Sequence, residues 1–393
     1  MISNHDFVPT RQQVVVVDAL VGNDYSFCMC RGLSDVGVDV KLVTVANRRP
    51  PFPCGFEVLD WAPPKSSGSR LRKLGGYGIY LVRLLTMLMR DRRHTVVHIQ
   101  FLRRPLADAL FYAMVSLLGV PLVFTSHNVE PHEASRLESF ALRVVRRRAA
   151  AVIAHSAHLQ RELLETGDVE PDLIDIIPHG DFDFYRELSS ASTGDLRQSL
   201  GLGDEAVVVL VFGSIRKYKG IDLILEAFAL ARHENESLHL IVAGRPATQS
   251  MGDDLRTQIE RLDLTAHVTF HARFIDNAEV APYLEAADIL ALPYRNISHS
   301  GVLHLAYSFA TPVVVTDVGD FAETVRSHGT GFIAESATPQ ALARTLLKAG
   351  SDRDLLRTMG DQALMVSRRD YTWPKIAMQT ADVYRRVLKD EPS

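Results

Sequence analysis

The run Val207-Val208-Val209-Leu210-Val211-Phe212 is apolar at every position and ends in a short loop bounded by Gly213 and Gly220. A strand that is apolar on both faces has to be covered on both, which is the condition of a strand inside a parallel sheet flanked by helices. Ile221-Asp222-Leu223-Ile224-Leu225-Glu226-Ala227-Phe228 follows at helical period. The same alternation of strand and helix fills the chain. Strands are expected at 14–17, 41–45, 96–99, 122–124, 151–154 and 174–177, and a second set at 207–212, 238–242, 267–270, 289–292, 313–315 and 331–333. The polar, aperiodic stretch 187–194 lies between the sets and marks a linker. An α/β fold is therefore expected, with a Rossmann-like domain over 1–186, a second over 187–368, and an amphipathic helix within 369–393 that crosses back to the first.

Composition limits the class. The chain has 393 residues, 47% hydrophobic and 23% charged, as in a soluble globular protein of two or three domains. Its three cysteines, Cys28, Cys30 and Cys54, are too few for a disulfide framework and fit a reducing compartment. Residues 1–11 lack the apolar segment of a secretory leader, so a cytoplasmic location is expected. Net charge is −4, yet residues 65–148 hold fifteen Lys/Arg against five Asp/Glu. Nucleic acid is a poor partner for that segment, because no platform of aromatics is interleaved with the cations. Two readings stay open: an anionic membrane surface contacted from the inner face, or a solvated basic helix face.

The loop after the 207–212 strand carries Arg216, Lys217 and Lys219. Backbone N–H groups and the positive end of the next helix converge there, and Arg216 and Lys219 add charge suited to a diphosphate. The Walker spacing is absent, and so is a Rossmann Gly-x-Gly-x-x-Gly after either first strand, so neither a mononucleotide loop of that kind nor a nicotinamide or flavin cofactor is expected.

Further motifs follow in order. Thr125-Ser126-His127-Asn128-Val129-Glu130-Pro131-His132-Glu133 closes a strand, and Ile177-Pro178-His179-Gly180-Asp181 precedes the linker. Gly244-Arg245 follows the second strand of the second set. Ala286-Ala287-Asp288, Pro293-Tyr294, Ser300-Gly301-Val302 and Val318-Gly319-Asp320-Phe321-Ala322-Glu323 complete the series. The ordered set resembles the retaining nucleotide-sugar glycosyltransferases of the GT-B fold, family 4, over nearly the whole chain, and in particular branches that build exopolysaccharide or lipid-linked glycans. That resemblance implies two domains facing across a cleft and transfer of a sugar from a UDP- or GDP-linked donor to a glycan or lipid-linked acceptor. It assigns His127, Arg216 and Lys219 to catalysis. Gly213, Ser214, Gly244, Arg245, Tyr294, Ser300, Gly301, Val302 and Glu323 are assigned to the donor. Gly22, Asn23, Asp24, Tyr25, His132 and Glu133 are assigned to the acceptor. No Asp-x-Asp pair is placed to hold a metal, and metal-free turnover is expected.

Some residues keep a second reading. His127 either meets the donor sugar or bonds backbone at its strand end, and Asn23 or Asp24 either touches the acceptor or caps a helix. The chain also departs from the family. The phosphate loop opens Gly213-Ser214-Ile215, without the usual Arg, and Arg216 is the replacement. The Glu-x7-Glu positions fall on Ile297 and Leu305, or one residue on at Ser298 and Ala306, so no carboxylate stands there. A non-catalytic partner subunit is the rival from another class; an epimerase or phosphorylase of the same fold is a rival enzyme.

Overall fold

The computed structural model describes residues 13–18, 24–64, 70–129, 135–189 and 195–389. They form two compact units. One runs to Gly180 and resumes at Trp373; the other is Asp181–Thr372.

The sheet of the first unit contains β1 (Gln13–Asp18), β2 (Asp39–Val45), β3 (Glu57–Ala62), β4 (Thr95–Phe101), β5 (Leu122–Ser126), β6 (Ala151–Ala154) and β7 (Ile174–Ile176). Their order is β3-β2-β1-β4-β5-β6-β7, parallel throughout. The second unit contains β8 (Val207–Phe212), β9 (Leu238–Ala243), β10 (Val268–His271), β11 (Ile289–Leu292), β12 (Val313–Thr316) and β13 (Gly331–Ala334), in the order β10-β9-β8-β11-β12-β13, again parallel. Both orders reverse direction once, at β1/β4 and at β8/β11. A crevice opens at the carboxyl ends of the strands at such a point.

The all-apolar β8 behaves as its sequence requires. Val207, Val209 and Val211 enter one core with Ile224, Phe228 and Leu346, while Val208, Leu210 and Phe212 enter the other with Tyr283, Tyr294 and Leu303. One strand therefore ties two cores together, and helices cover both faces.

The helix Trp373–Lys389 belongs to the first unit. Its buried residues include Trp373, Ile376, Ala377, Thr380, Tyr384 and Val387, a stripe at helical period that packs on the helix Tyr25–Asp35. The first unit ends at Gly180, six residues ahead of the expected boundary. Beyond it, the Phe182 N–H donates to Ser308 Oγ, and its ring and that of Tyr185 lie against the second core.

Two elements escape the sequence pattern. β3 has no apolar alternation, since it is an edge strand whose residues are mostly half-buried. Arg70–Arg90 is a single long helix, where the sequence shows chiefly a basic segment.

Candidate active site

In the second unit the candidate residues collect at the β8/β11 switch. Phe212 pairs with Ala243, so Gly213 and Gly244 emerge side by side from β8 and β9. A Cβ on Gly244 would overlap the Gly213 carbonyl oxygen, and one on Gly220 would overlap the carbonyl of Pro293, the residue after β11. Only glycine lets these segments approach so closely. Gly220 is left-handed, with φ of 67°, and turns the short helix Lys217–Lys219 into the long helix Ile221–Glu234.

Lys219 is 6% exposed. Its Nζ lies 5.4 Å from the centre of the Tyr294 ring and 3.3 Å from where a Gly213 Cβ would stand. Burial pushes the ammonium below the ordinary lysine range; Tyr218 partly offsets this and Arg216 adds to it. A desolvated cation beneath a glycine loop is a site that an anion would complete. The Val302 side chain also borders Gly213, and Ser300 caps the helix Gly301–Ser308 by accepting from Val302 N–H at 3.3 Å. Thus Gly213, Gly244, Lys219, Tyr294 and Val302 come together as expected.

Other donor residues stand further out. Ser214, Arg216 and Arg245 are exposed, and the Arg245 guanidinium lies 5.9 Å from the Phe274 ring centre. Arg216 lines a groove of about 350 Å³ with Lys217, Asp222, Thr248 and Ser250. Glu323 is exposed in the first turn of the helix Phe321–His328.

Two pairs were not singled out from the sequence. Arg295 makes a bidentate bond to Asp222, at 2.7 and 2.8 Å, and donates to the Lys217 carbonyl. Burial raises the Asp222 pKa, but the Arg295 bond and charge outweigh it and leave it below the usual range. His299 Nδ1 meets Asp320 Oδ2 at 2.6 Å, both side chains buried. This pair ties the Ser298–Ser300 loop to the Gly319–Asp320 turn. Neither register of the family's carboxylate positions supplies a carboxylate: Ile297 and Leu305 are buried in the core, and Ser298 and Ala306 stand one residue on. The signal for Asp320 was its place directly after Gly319, three residues ahead of the turn carboxylate Glu323.

In the first unit, register assembles the histidines. Ser126 pairs with Ala154 and Ala154 with Ile176, so the next residues, His127, His155 and Ile177, are neighbours. His155 Nδ1 lies 3.0 Å from the Ile177 carbonyl oxygen, which can only accept, so Nδ1 carries the proton. His155 Nε2 lies 3.2 Å from His127 Nδ1. His127 Nε2 lies 3.0 Å from Gln100 Oε1, which can only accept, so Nε2 carries a proton. The Gln100 amide nitrogen is 3.0 Å from His98 Nε2, which also meets Thr125 Oγ1 at 2.6 Å. Phe101 stacks on the His127 ring at 4.4 Å. His127 is thus a positioned imidazole, held by Gln100, His155 and Phe101. His127 and His155 each directly follow a strand, and that repeated feature was the legible signal for these two.

Tyr25 was expected at the acceptor. It is instead 2% exposed, edge-on to His127, His155, His179 and Trp373, and burial pushes its hydroxyl pKa up. Asp24 occupies the cap position of the helix Tyr25–Asp35 without a side-chain cap bond. Gly22, Asn23, His132 and Glu133 lie outside the described residues. Among the described residues there is no cluster of His, Cys, Asp or Glu able to hold a metal, and no helix is long and apolar enough to cross a membrane.

Two doubly wound parallel units, each presenting its candidate residues at the carboxyl ends of its strands, define the GT-B class of protein. Residues 192–365 match the family Glycosyl transferases group 1, and residues 25–180 match Glycosyltransferase Family 4. The chain therefore carries a group 1 glycosyltransferase domain and a family 4 glycosyltransferase domain, one in each unit. It is 26% identical over 400 residues to a D-inositol 3-phosphate glycosyltransferase of Corynebacterium aurimucosum, covering 94% of this chain and 91% of that one. The corresponding protein of Streptomyces scabiei is 28% identical over 289 residues, covering 69% and 64%. Among solved structures, sucrose-phosphate synthase from Thermosynechococcus elongatus superposes with a TM-score of 0.75 at 18% identity, over 97% of this chain and all of that one. Anabaena HepE in complex with UDP-glucose does so with a TM-score of 0.74 at 19% identity, over 95% and 99%.

Proposed function

We propose that this glycosyltransferase moves a sugar from a UDP- or GDP-linked donor to a hydroxyl of a glycan or lipid-linked acceptor, with retention and without a metal. The observation that carries the reading is Lys219, a buried cation at a glycine-lined loop after the central strand. A departing nucleoside diphosphate gains negative charge there, and a preorganised cation with backbone N–H groups stabilises that charge as it forms. HepE, of the same fold, was solved with UDP-glucose. No residue of the site is placed as a nucleophile, which favours front-face attack with the leaving phosphate taking the acceptor proton. The relatives named above act on inositol phosphate by their names, a competing acceptor class. A cytoplasmic protein held at the inner membrane face by its basic 65–148 segment suits a lipid-linked acceptor, and flotation without preference for anionic vesicles would remove that part.

A thermal-shift screen with UDP, GDP, ADP and their sugar conjugates tests the donor site. A ligand at a hundred times its Kd adds ~2.7 kcal/mol of stability, and one base is expected to stand out. Turnover with that donor should persist in excess chelator; strict loss would show a metal requirement. The missing carboxylates at the family's Glu-x7-Glu positions favour one rival, a non-catalytic partner subunit. Silence with every nucleotide would support it.

A further inference from the structure

A second cavity, of about 300 Å³, lies wholly within the first unit beside His127. Phe101, Leu102, Pro105, Phe124 and Leu142 give it apolar walls, and its polar atoms come from Gln100, Thr125, His127, Asn128 and Glu138. Among the described residues that line it there is no lysine or arginine. Several cations near in sequence have partners away from it, Arg143 on Asp168 at 3.3 Å among them. Arg104 lies over the Tyr77 ring at 4.6 Å. Arg103 faces Tyr77, Tyr80 and Asp108. Arg146 donates to the Val129 carbonyl at 2.8 Å and pairs with Asp168 at 3.3 Å. The charge that does line the cavity is the Glu138 carboxylate, held in a capping box with Ser135.

A phosphate or other anion placed here would meet a carboxylate and no counter-charge, and would lose its hydration without replacement. An uncharged apolar group loses nothing of that kind and gains from burial. The helix Pro105–Leu117 starts at the cavity wall and leaves Leu106, Leu110, Met114 and Leu117 exposed on one face, Leu110 and Leu117 each at 71%. On the adjoining helix Arg136–Arg148, Leu137 and Phe140 are exposed as well. An apolar stripe of this length suits a chain too long for the cavity.

We propose that the cavity beside His127 seats the apolar, uncharged body of the acceptor, so that the acceptor is an alcohol on a hydrophobic body rather than a phosphorylated polyol. The inference rests on the glycosyltransferase reading for the role of the bound molecule, but the seat itself can be tested without a donor.

Calorimetric titration of the whole chain with three probes at monomeric concentrations is decisive: octyl β-glucoside, methyl β-glucoside and inositol 3-phosphate. Octyl glucoside should bind at least tenfold more tightly than either other probe. Equal affinity for the octyl and methyl compounds, or tighter binding of inositol 3-phosphate, overturns the proposal. A parallel titration with 4-methylumbelliferone separates the sources of the apolar group, since binding of the octyl probe alone points to a lipid alcohol and equal binding of both to any apolar aglycone. Leu142→Arg, with its fold checked by circular dichroism, should weaken the octyl probe at least tenfold; the probe series on the unaltered chain stands if that variant fails to fold. UDP binding is measured on the same samples. UDP bound with no preference for the octyl probe sinks this inference alone, and octyl preference without any nucleotide binding sinks the donor reading alone.

Discussion

Lys219 and His98 are both buried groups whose charged forms the fold disfavours, yet they serve opposite ends. Lys219 sits under a glycine-lined loop, where a buried cation suits an anionic ligand. Lys219→Ala should lower kcat/KM by at least tenfold, since a charged contact made to the leaving group is worth ~1.5 kcal/mol or more. Steady-state kinetics with the donor found by thermal shift checks this, and a change within twofold would remove the clamp role. The unliganded variant should be no less stable, because a desolvated ammonium is lost with the side chain. His98 is bonded to Thr125, Gln100 and Tyr384 and has its pKa pushed down to about 3, mainly by burial. The unfolded value is 6.5, so protonation favours the unfolded chain. The stabilisation is complete above pH 6.5 and fades as pH falls toward 3, by up to ~1.4 kcal/mol per unit. His98→Gln should lack that slope; denaturant melts of both proteins at pH 7 and pH 5 give the difference. Lys219 was legible because its motif is contiguous. His98 was not, because Thr125 and Tyr384 are 27 and 286 residues away.

At the level of elements, the site depends on where strands end. The β8–β9 register sets Gly213 against Gly244, and the β5–β6–β7 register sets His127 against His155 and Ile177. Gly244→Ala would force a methyl group into the Gly213 carbonyl. The two strand ends would have to separate, at a cost of ~2–4 kcal/mol, as for other severe steric changes. Equilibrium unfolding should show that loss, and nucleotide binding should weaken with it. Central strands were legible because burial on both faces demands an unbroken apolar run. β3 was not, because an edge strand beside solvent needs no such run. The register itself was also hidden, since slipping a parallel strand leaves its composition unchanged.

For the whole molecule, chain order and folding units part company. The first unit includes a helix that follows the entire second unit, with Trp373 so close over Gly180 that a Cβ there would collide with the indole. A chain ending at Thr372 should leave the face of the helix Tyr25–Asp35 uncovered and fail to give a cooperative melt for the first unit. A fragment spanning 181–372, with cores of its own, should fold alone. Calorimetry and circular dichroism of the two fragments decide it, and a cooperative, native-like first unit without the helix would refute it. The sequence by itself determined the class: alternating apolar runs and helical periods leave a parallel α/β architecture as the way to bury both faces, and the contiguous loop 213–220 gathers the residues proposed to hold the donor phosphates. Only the tertiary structure decided which residues share a site. The histidine network, the His299–Asp320 pair and the apolar cavity beside His127 each join groups from separate strands, and distances of that kind follow from register and packing, which no local pattern encodes.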